Sequence, residues 1–176
     1  MPRGLITSGL ALGVALAAQT AFAQGGGTAS VELKDADGNT VGQVELMQVP
    51  NGVHLKADLQ NLPAGTHALH IHETGACEPP DFESAGGHFN PTGASHGWLS
   101  EGGPHAGDFP NIHVGDDGSL TVEYFSMMVT MDEGENTVFD DDGSAIVIHE
   151  GTDDYETDPA GDAGNRIACG VISSGG

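Results

Sequence analysis

Seven side chains of metal-binding type fall in two short β-type runs and one long loop of this sequence. His70 and His72 are two residues apart in an apolar run typical of a strand, so alternation places both imidazoles on one face. The others follow in chain order: His88, His96, His105, Asp108 and His149. All-imidazole ligation suits copper, and imidazoles with one carboxylate suit zinc in a tetrahedral site. The pattern predicts metal chemistry rather than a scatter of solvated histidines.

Several segments of the chain resemble the signature segments of the copper/zinc superoxide dismutases, in their bacterial, exported type. They are residues 69–73, 84–91, 96–97, 105–108, 145–150 and 164–170, and the match runs in order from about residue 31 to residue 172. The resemblance implies an all-β fold, an eight-stranded Greek-key β-barrel or sandwich with a long metal-binding loop. It also implies an enzyme that dismutes superoxide to oxygen and hydrogen peroxide, protecting the cell envelope from oxidative damage.

Carried over position by position, the resemblance implies two metal sites that share one histidine. The copper ligands would be His70, His72, His88 and His149. The zinc ligands would be His88, His96, His105 and Asp108. His88 would bridge the two ions. Asp153 matches the family's aspartate that links a copper-ligating to a zinc-ligating histidine, a contact that fixes the tautomer and orientation of both rings.

The motif His-x-Gly-Asp occurs twice, at residues 105–108 and 113–116. In the family the zinc ligands follow the bridging histidine by eight, nine and three residues, and this spacing selects the first copy. The second copy then belongs to the start of the next strand and its turn. His54 and His67 have no partner in the sequence, and we expect them to be structural or solvated.

Two residues would take part in the reaction besides the metals. Arg166 would hold the superoxide anion beside copper, because a guanidinium is always charged and offers a fork of donors. A structural ion pair is the alternative role for this arginine. His88 would take up a proton on leaving reduced copper and pass it to the second superoxide. A secreted copper or zinc carrier of the same fold is the rival function, and the complete ligand set together with Arg166 favours the enzyme.

The elements that must position these side chains are short strands. Short β-type runs between turn signals, with period-two alternation in the first three, predict strands near residues 31–33, 44–48, 53–59, 66–72, 120–125, 144–149 and 166–172. No stretch has helical periodicity of useful length. Residues 73–118 contain no convincing strand, and so long a loop in a compact domain indicates a functional loop. Bound metal would supply the order that a hydrophobic core does not.

The start of the chain has the composition of a secretory signal peptide. Residues 1–23 combine a single cation, Arg3, with a short apolar stretch and an Ala-Phe-Ala end. Residues 24–30 would be a Gly-rich flexible leader, and residues 31–176 the dismutase domain. We therefore expect export to the periplasm or the extracellular space, where disulfides persist.

The two cysteines, Cys77 and Cys169, leave only one possible intrachain bridge. The closed loop of about 90 residues would stabilise the fold by roughly 4–5 kcal/mol in the chain-entropy model. Two free buried thiols are the alternative from the sequence alone. The resemblance implies the disulfide, which would tie the metal loop to the barrel near Arg166.

The chain is strongly acidic, with 4 Lys and Arg against 26 Asp and Glu and a formal net charge of −22. Removal of Arg3 with the leader leaves 3 cations against 26 carboxylates, or −23. Such a surface excludes nucleic acid and anionic membranes as partners. We expect superoxide as the substrate, no membrane contact after signal cleavage, and a monomer or a homodimer. Residues 150–165 contain no Lys or Arg, whereas many relatives carry lysine there.

Overall fold

The computed structural model describes residues 27–173, together with Met1. Apart from Met1, the predicted signal peptide and residues 24–26 of the predicted leader lie outside the described residues. The strands, in chain order, are β1 (Thr28–Asp35), β2 (Thr40–Val49), β3 (Gly52–Leu59), β4 (Gly65–His67), β5 (Leu69–His72), β6 (Ile112–Val114), β7 (Leu120–Ser126), β8 (Ser144–His149) and β9 (Arg166–Ile172). A short 3₁₀ helix, Glu83–Ala85, lies between β5 and β6. Over residues 27–173 we find no helix of the length and hydropathy that a bilayer crossing requires.

Seven strands form one antiparallel sheet in the order β5-β8-β9-β1-β2-β3-β7, and β4 pairs with β6 in a second sheet. The first three strands are joined as successive hairpins, whereas β3 pairs with β7 and β5 pairs with β8. Long-range pairings of this kind after consecutive hairpins are typical of a Greek key. The predicted all-β barrel-type fold is confirmed.

Alternation along the strands builds the core as predicted. In β1, Val31 and Leu33 are fully buried while Glu32 and Lys34 between and after them are exposed. The inner faces of the sheet meet in one hydrophobic cluster. Burial of each large aliphatic side chain stabilises the fold by about 1.5–3 kcal/mol. This core is the rigid support on which the histidine-bearing strands rest.

Three details differ from the prediction. The strand expected at residues 66–72 is divided at Ala68, because β4 pairs with β6 while β5 pairs with β8. Counting β4 and β5 as one divided strand gives the eight strands expected. A short strand, β6, interrupts the segment 73–118 that was expected to be loop throughout. β1 begins at Thr28, which pairs with Met47, so residues 28–30 of the expected leader belong to a strand.

Cys77 and Cys169 form the disulfide, with their Cα atoms 5.7 Å apart across a sequence separation of 92 residues. Cys169 lies in β9, and Cys77 lies near the start of the long loop. Both sulfurs pack in a small second cluster with Phe82 and Val147. The bridge therefore fixes the first part of the loop to the sheet, as the resemblance implied.

Candidate metal centre

Strands β5 and β8 place three imidazoles on one face of the sheet. His70 pairs with Val147 across the two strands, and His149 lies two residues beyond Val147 on β8. Since directly paired residues and residues two apart share a face, His70, His72 and His149 point the same way. All three are buried, because the long loop covers this face.

The loop is fixed to β5 by backbone hydrogen bonds. Ile71 N–H donates to Gly107 O at 2.9 Å, and Ile71 O accepts from Phe89 N–H at 2.8 Å. A β-carbon on Gly107 would lie 2.3 Å from Ile71 O, so this close approach requires glycine. These bonds also hold the neighbouring site residues over the strand: His88, which precedes Phe89, and Asp108, which follows Gly107.

The predicted ligands meet in two sets that share His88. One set is His70, His72, His88 and His149, and the other is His88, His96, His105 and Asp108. Within each set, one ligand atom from each residue lies within 4.8 Å of the others, and every member is buried. Segments far apart in sequence thus converge on two adjacent positions.

On the carboxylate side, three Nδ1 atoms surround Asp108. His88 Nδ1 lies 2.9 Å and His105 Nδ1 lies 3.4 Å from Asp108 Oδ1, while His96 Nδ1 lies 3.2 Å from Oδ2. The N–H groups of Gly97 and His105 donate to Oδ2 at 2.9 and 3.0 Å and fix the carboxylate. Three imidazoles with one carboxylate are a donor set that zinc takes in tetrahedral geometry.

On the all-imidazole side, His72 Nε2 and His149 Nε2 lie 3.4 Å apart. His70 Nδ1 and His88 Nε2 are buried and have no hydrogen-bond partner among the described residues. Buried polar atoms are almost always satisfied, so unpaired imidazole nitrogens facing one another fit a bound cation. Four imidazoles suit copper.

The second ring nitrogen of His72 and of His149, Nδ1, is hydrogen-bonded to a backbone carbonyl. His72 Nδ1 donates to Gly86 O at 3.0 Å, and His149 Nδ1 donates to Gly164 O at 3.1 Å. A proton held on Nδ1 leaves Nε2 as the lone-pair atom, which is the form a metal ligand requires.

Asp153 joins the two sets. Its Oδ2 accepts from His70 Nε2 at 2.8 Å, and its Oδ1 accepts from His96 Nε2 at 2.9 Å. Gly161 lies so close that a β-carbon there would be 2.0 Å from Asp153 Oδ1, and its φ of +65° also favours glycine. The carboxylate thus occupies the linking position expected from the sequence.

The pKa values of the four imidazoles on the all-imidazole side are lowered, whereas the pKa of His96 is raised. Burial lowers the pKa of His70 to about 3, of His72 to about 2 and of His149 to about 4. Burial also lowers the pKa of His88. These imidazoles are neutral at neutral pH and therefore ready to bind a metal.

Around His96 the carboxylates dominate. Burial opposes the charged form, but the contacts with Asp108 and Asp153 outweigh it and raise the pKa of His96 to about 9. Burial would raise the pKa of both carboxyls, yet hydrogen bonds from the imidazoles hold them well below their usual range. This side of the centre is a region of concentrated negative charge.

Arg166 borders a recess of about 420 Å³ that opens onto both sets, and His72, His88, His149, Glu73 and Asp158 also line it. The guanidinium donates to Phe82 O at 2.5 Å and to Gly86 O at 2.7 Å. It is partly buried, and carboxylates of Asp81 and Glu83 lie near it. Arg166 thus stands beside the histidines, held by carbonyl oxygens rather than by a close ion pair.

The remaining histidines lie outside both sets. His113, in β6, is exposed and bonds to Thr66 Oγ1 at 3.0 Å. His54 faces Glu123 at 3.6 Å. His67, expected to be structural or solvated, is buried and structural: its two ring nitrogens each lie 2.9 Å from a carbonyl oxygen, of His149 and of Pro63. It therefore supports the backbone of His149.

Two further residues of the centre were missed. Asn111 bonds to Asp153 and to Tyr155 across more than forty residues of sequence, and Tyr155 N–H donates to the carboxylate of Asp153, two residues before it. Neither residue is of a usual metal-binding type, and neither belongs to a motif of recognisable spacing. The sequence therefore gave no indication of their role.

Comparison with known proteins places these features in a family. Residues 40–172 match the family model for "Copper/zinc superoxide dismutase (SODC)". The chain is 50% identical over 146 residues to "Superoxide dismutase [Cu-Zn] 2" of Aquifex aeolicus, covering 82% of this chain and 85% of that protein. It is 44% identical over 148 residues to "Superoxide dismutase [Cu-Zn]" of Caulobacter vibrioides, again covering 82% and 85%.

A solved structure has a similar fold. The crystal structure of a superoxide dismutase-like protein from Bacillus subtilis superposes with a TM-score of 0.79 at 39% identity, covering 82% of this chain and 97% of that one. With the family model spanning most of the described residues and half of the aligned positions identical to a named dismutase, the chain belongs to the copper/zinc superoxide dismutase family.

Proposed function

We propose that the protein dismutes superoxide with copper held by His70, His72, His88 and His149 and zinc held by His88, His96, His105 and Asp108. The observation that carries this assignment is the place of His88. Its Nδ1 lies among the carboxylate-side donors, and its buried Nε2 lies unpaired among the other imidazoles. When bound, copper supplies the one-electron couple that oxidises one superoxide to oxygen and reduces the next to peroxide.

His88 takes up and releases the proton. Its Nε2 is the ring atom that holds this proton, because Nδ1 stays among the donors around Asp108. A proton held at Nε2 lies in the recess, within reach of a bound anion. His105 and Asp108 keep the ring in place while the proton is taken up and released.

Arg166 binds the substrate. Among the described residues, the backbone carbonyls of Phe82 and Gly86 take up two of its N–H donors. An arginine has five such donors, so others remain for a small anion in the recess. The two carbonyls fix the direction of the fork, and the guanidinium keeps its charge at any working pH.

We propose further that the chain is exported and acts in the periplasm or outside the cell, protecting the envelope. The Cys77–Cys169 disulfide supports an oxidising compartment. The signal-like composition of residues 1–23 supports the route.

The test is a measurement of copper content, zinc content and superoxide turnover on one purified sample of the mature chain. We expect one copper and one zinc per chain and turnover that disappears when copper is removed. A sample that holds both metals stoichiometrically but has no turnover would contradict the enzyme and favour the metal carrier.

A further inference from the structure

Asp153 is held by its backbone as well as by its carboxylate. Asp153 N–H donates to Asn111 Oδ1 at 2.9 Å, and Asn111 Nδ2 donates to Asp153 O at 2.9 Å. One buried side-chain amide thus binds both main-chain groups of Asp153. The carboxylate itself receives a third donor besides the two imidazoles, the N–H of Tyr155, at 2.6 Å from Oδ1.

Asn111 is in turn fixed by two tyrosines. Its N–H donates to the Tyr155 hydroxyl at 2.7 Å, and the Tyr124 hydroxyl donates to its carbonyl at 3.0 Å. Asn111 directly precedes β6 and follows Asp108 by three residues. The amide therefore joins the zinc-side loop to the later loop that carries Asp153.

Tyr155 is fixed at three points. Its ring packs against Trp98 with the ring centroids 4.7 Å apart, and its carbonyl accepts from Leu99 N–H at 2.9 Å. Its backbone is in the left-handed region, with φ of 63°, which a residue with a β-carbon adopts only when its surroundings require it. This conformation directs the N–H at Asp153 and the hydroxyl at Asn111 together.

We propose that Asn111 and Tyr155 are positioning residues that fix Asp153 and thereby set how His70 and His96 face the two metals. This rests on the metal assignment proposed above. A carboxylate that moves loses the geometry of its bonds to both rings, and loss of such outer contacts commonly lowers metal affinity by about 10–100-fold. Asn111 and Tyr155 act one layer further out, so their removal weakens zinc binding by a smaller factor.

Three substitutions separate this role from general support of the fold. Asn111→Ala removes the amide and leaves both main-chain groups of Asp153 without their partner. Tyr155→Phe removes only the hydroxyl, keeping the ring against Trp98 and the N–H on Asp153. Thr121→Val is the control, because it deletes a hydroxyl that bonds to Asp58 and to neither Asn111 nor Asp153.

The experiment measures zinc affinity of the metal-free mature chain by competition with a chelator, and the Cu(II) electron paramagnetic resonance spectrum after copper is added. We expect zinc affinity to fall about tenfold for Asn111→Ala and about threefold for Tyr155→Phe, with an altered Cu(II) spectrum in the first. Thr121→Val keeps the zinc affinity within a factor of two and the spectrum unchanged. A merely structural role would lower the unfolding temperature without moving the spectrum.

The proposal is overturned if Tyr155→Phe and Asn111→Ala keep wild-type zinc affinity and spectrum, or if Thr121→Val changes them as much as Tyr155→Phe. If Asn111→Ala does not fold, Tyr155→Phe against Thr121→Val decides. Wild-type protein that binds no zinc would overturn the metal assignment itself, and that outcome is distinct from altered variants of a metal-binding wild type.

Discussion

Arg166 and His72 donate hydrogen bonds to the same acceptor, the carbonyl oxygen of Gly86, from Nη2 at 2.7 Å and from Nδ1 at 3.0 Å. Gly86 has a φ of +73°, and a β-carbon there would lie 2.8 Å from the Glu73 side chain. The peptide group of this glycine thus sets the distance between the proposed anion-binding cation and a proposed metal ligand.

Arg166→Glu should retain both metals and lose most turnover. His72 keeps its bond to Gly86 O, whereas the anion meets a negative charge where it should be held. We expect kcat/KM to fall at least about a hundredfold, measured by pulse radiolysis on samples matched for copper and zinc. Arg166→Lys keeps the charge but loses the forked pair of donors, so its kcat/KM should lie between those of the wild type and Arg166→Glu. Full activity in Arg166→Glu would remove this residue from the mechanism.

His105→Ala should deplete zinc, whereas His113→Ala should leave it nearly intact. His105 Nδ1 lies 3.4 Å from both His88 Nδ1 and Asp108 Oδ1, while His113 is on the surface bonded to Thr66. Elemental analysis of the two purified variants checks this. The reverse result would show that the second His-x-Gly-Asp copy is the zinc-binding one.

Reduction of Cys77–Cys169 should loosen the start of the long loop and lower activity. The bridge packs against Phe82, whose carbonyl accepts from Arg166, so the guanidinium loses an anchor. Loss of a native disulfide typically costs 2–5 kcal/mol of stability. Hydrogen exchange should rise in residues 74–87 of a Cys77→Ser, Cys169→Ser variant. Two free thiols in native, metal-loaded protein would contradict the bridge.

The metal-free protein should lose stability as pH falls from about 6.5 towards 4. The folded-state pKa values of His70, His72 and His149 lie below the unfolded value, so the unfolded chain binds more protons in this window. Each such group lowers the free energy of unfolding by about 1.4 kcal/mol per pH unit there. The folded-state pKa of His96 is raised to about 9, so its stabilising contribution is lost only as the pH rises above 6.5 and does not change in this acidic window.

Urea midpoints of metal-free protein at pH 7 and pH 5 measure this difference. A His70→Gln variant, which lacks one of the titrating groups, should show a shallower loss between the two pH values. An equal or higher midpoint at pH 5 in the wild type would show that these imidazoles are not buried in the metal-free state.

The rate of superoxide dismutation should stay flat or rise between low and moderate ionic strength. Among the cationic side chains of residues 27–173, only Arg166 lines the recess, since Lys34 and Lys56 pair with Glu32 and Asp58 on strands elsewhere. Salt screens repulsion from negative surface charges that lie beyond a Debye length, about 10 Å at 0.1 M. It screens the attraction between Arg166 and an anion inside the recess only weakly. A rate that falls steeply with salt would reveal a positive funnel.

Local patterns predicted the parts of this molecule that local rules govern. Period-two alternation identified the first three strands, and the spacing of His70 and His72 placed both rings on one face of β5. The division of a strand at Ala68 was missed because it depends on which partner each half meets. The Gly-rich composition before Val31 indicated a leader, yet pairing with β2 extends β1 to Thr28.

The same distinction between local and long-range information explains which residues of the site were predicted. The ligand types are few and their spacing is distinctive, so the candidates were found in the sequence. Asn111 and Tyr155 are ordinary polar residues, and their importance arises only when two loops meet around Asp153. His67 was expected to be structural or solvated, and it is structural; the sequence could not name its partners, because they are backbone carbonyls that any sequence provides.

The single carboxylate between His70 and His96 couples the two proposed ion sites. An ion that fixes His96 on the zinc side would also fix Asp153 and, through it, the ring of His70. The first ion would then raise the affinity for the second, and linkage requires the converse by the same factor. Copper and zinc bound as proposed would therefore load with positive cooperativity, so removal of one ion would weaken the retention of the other.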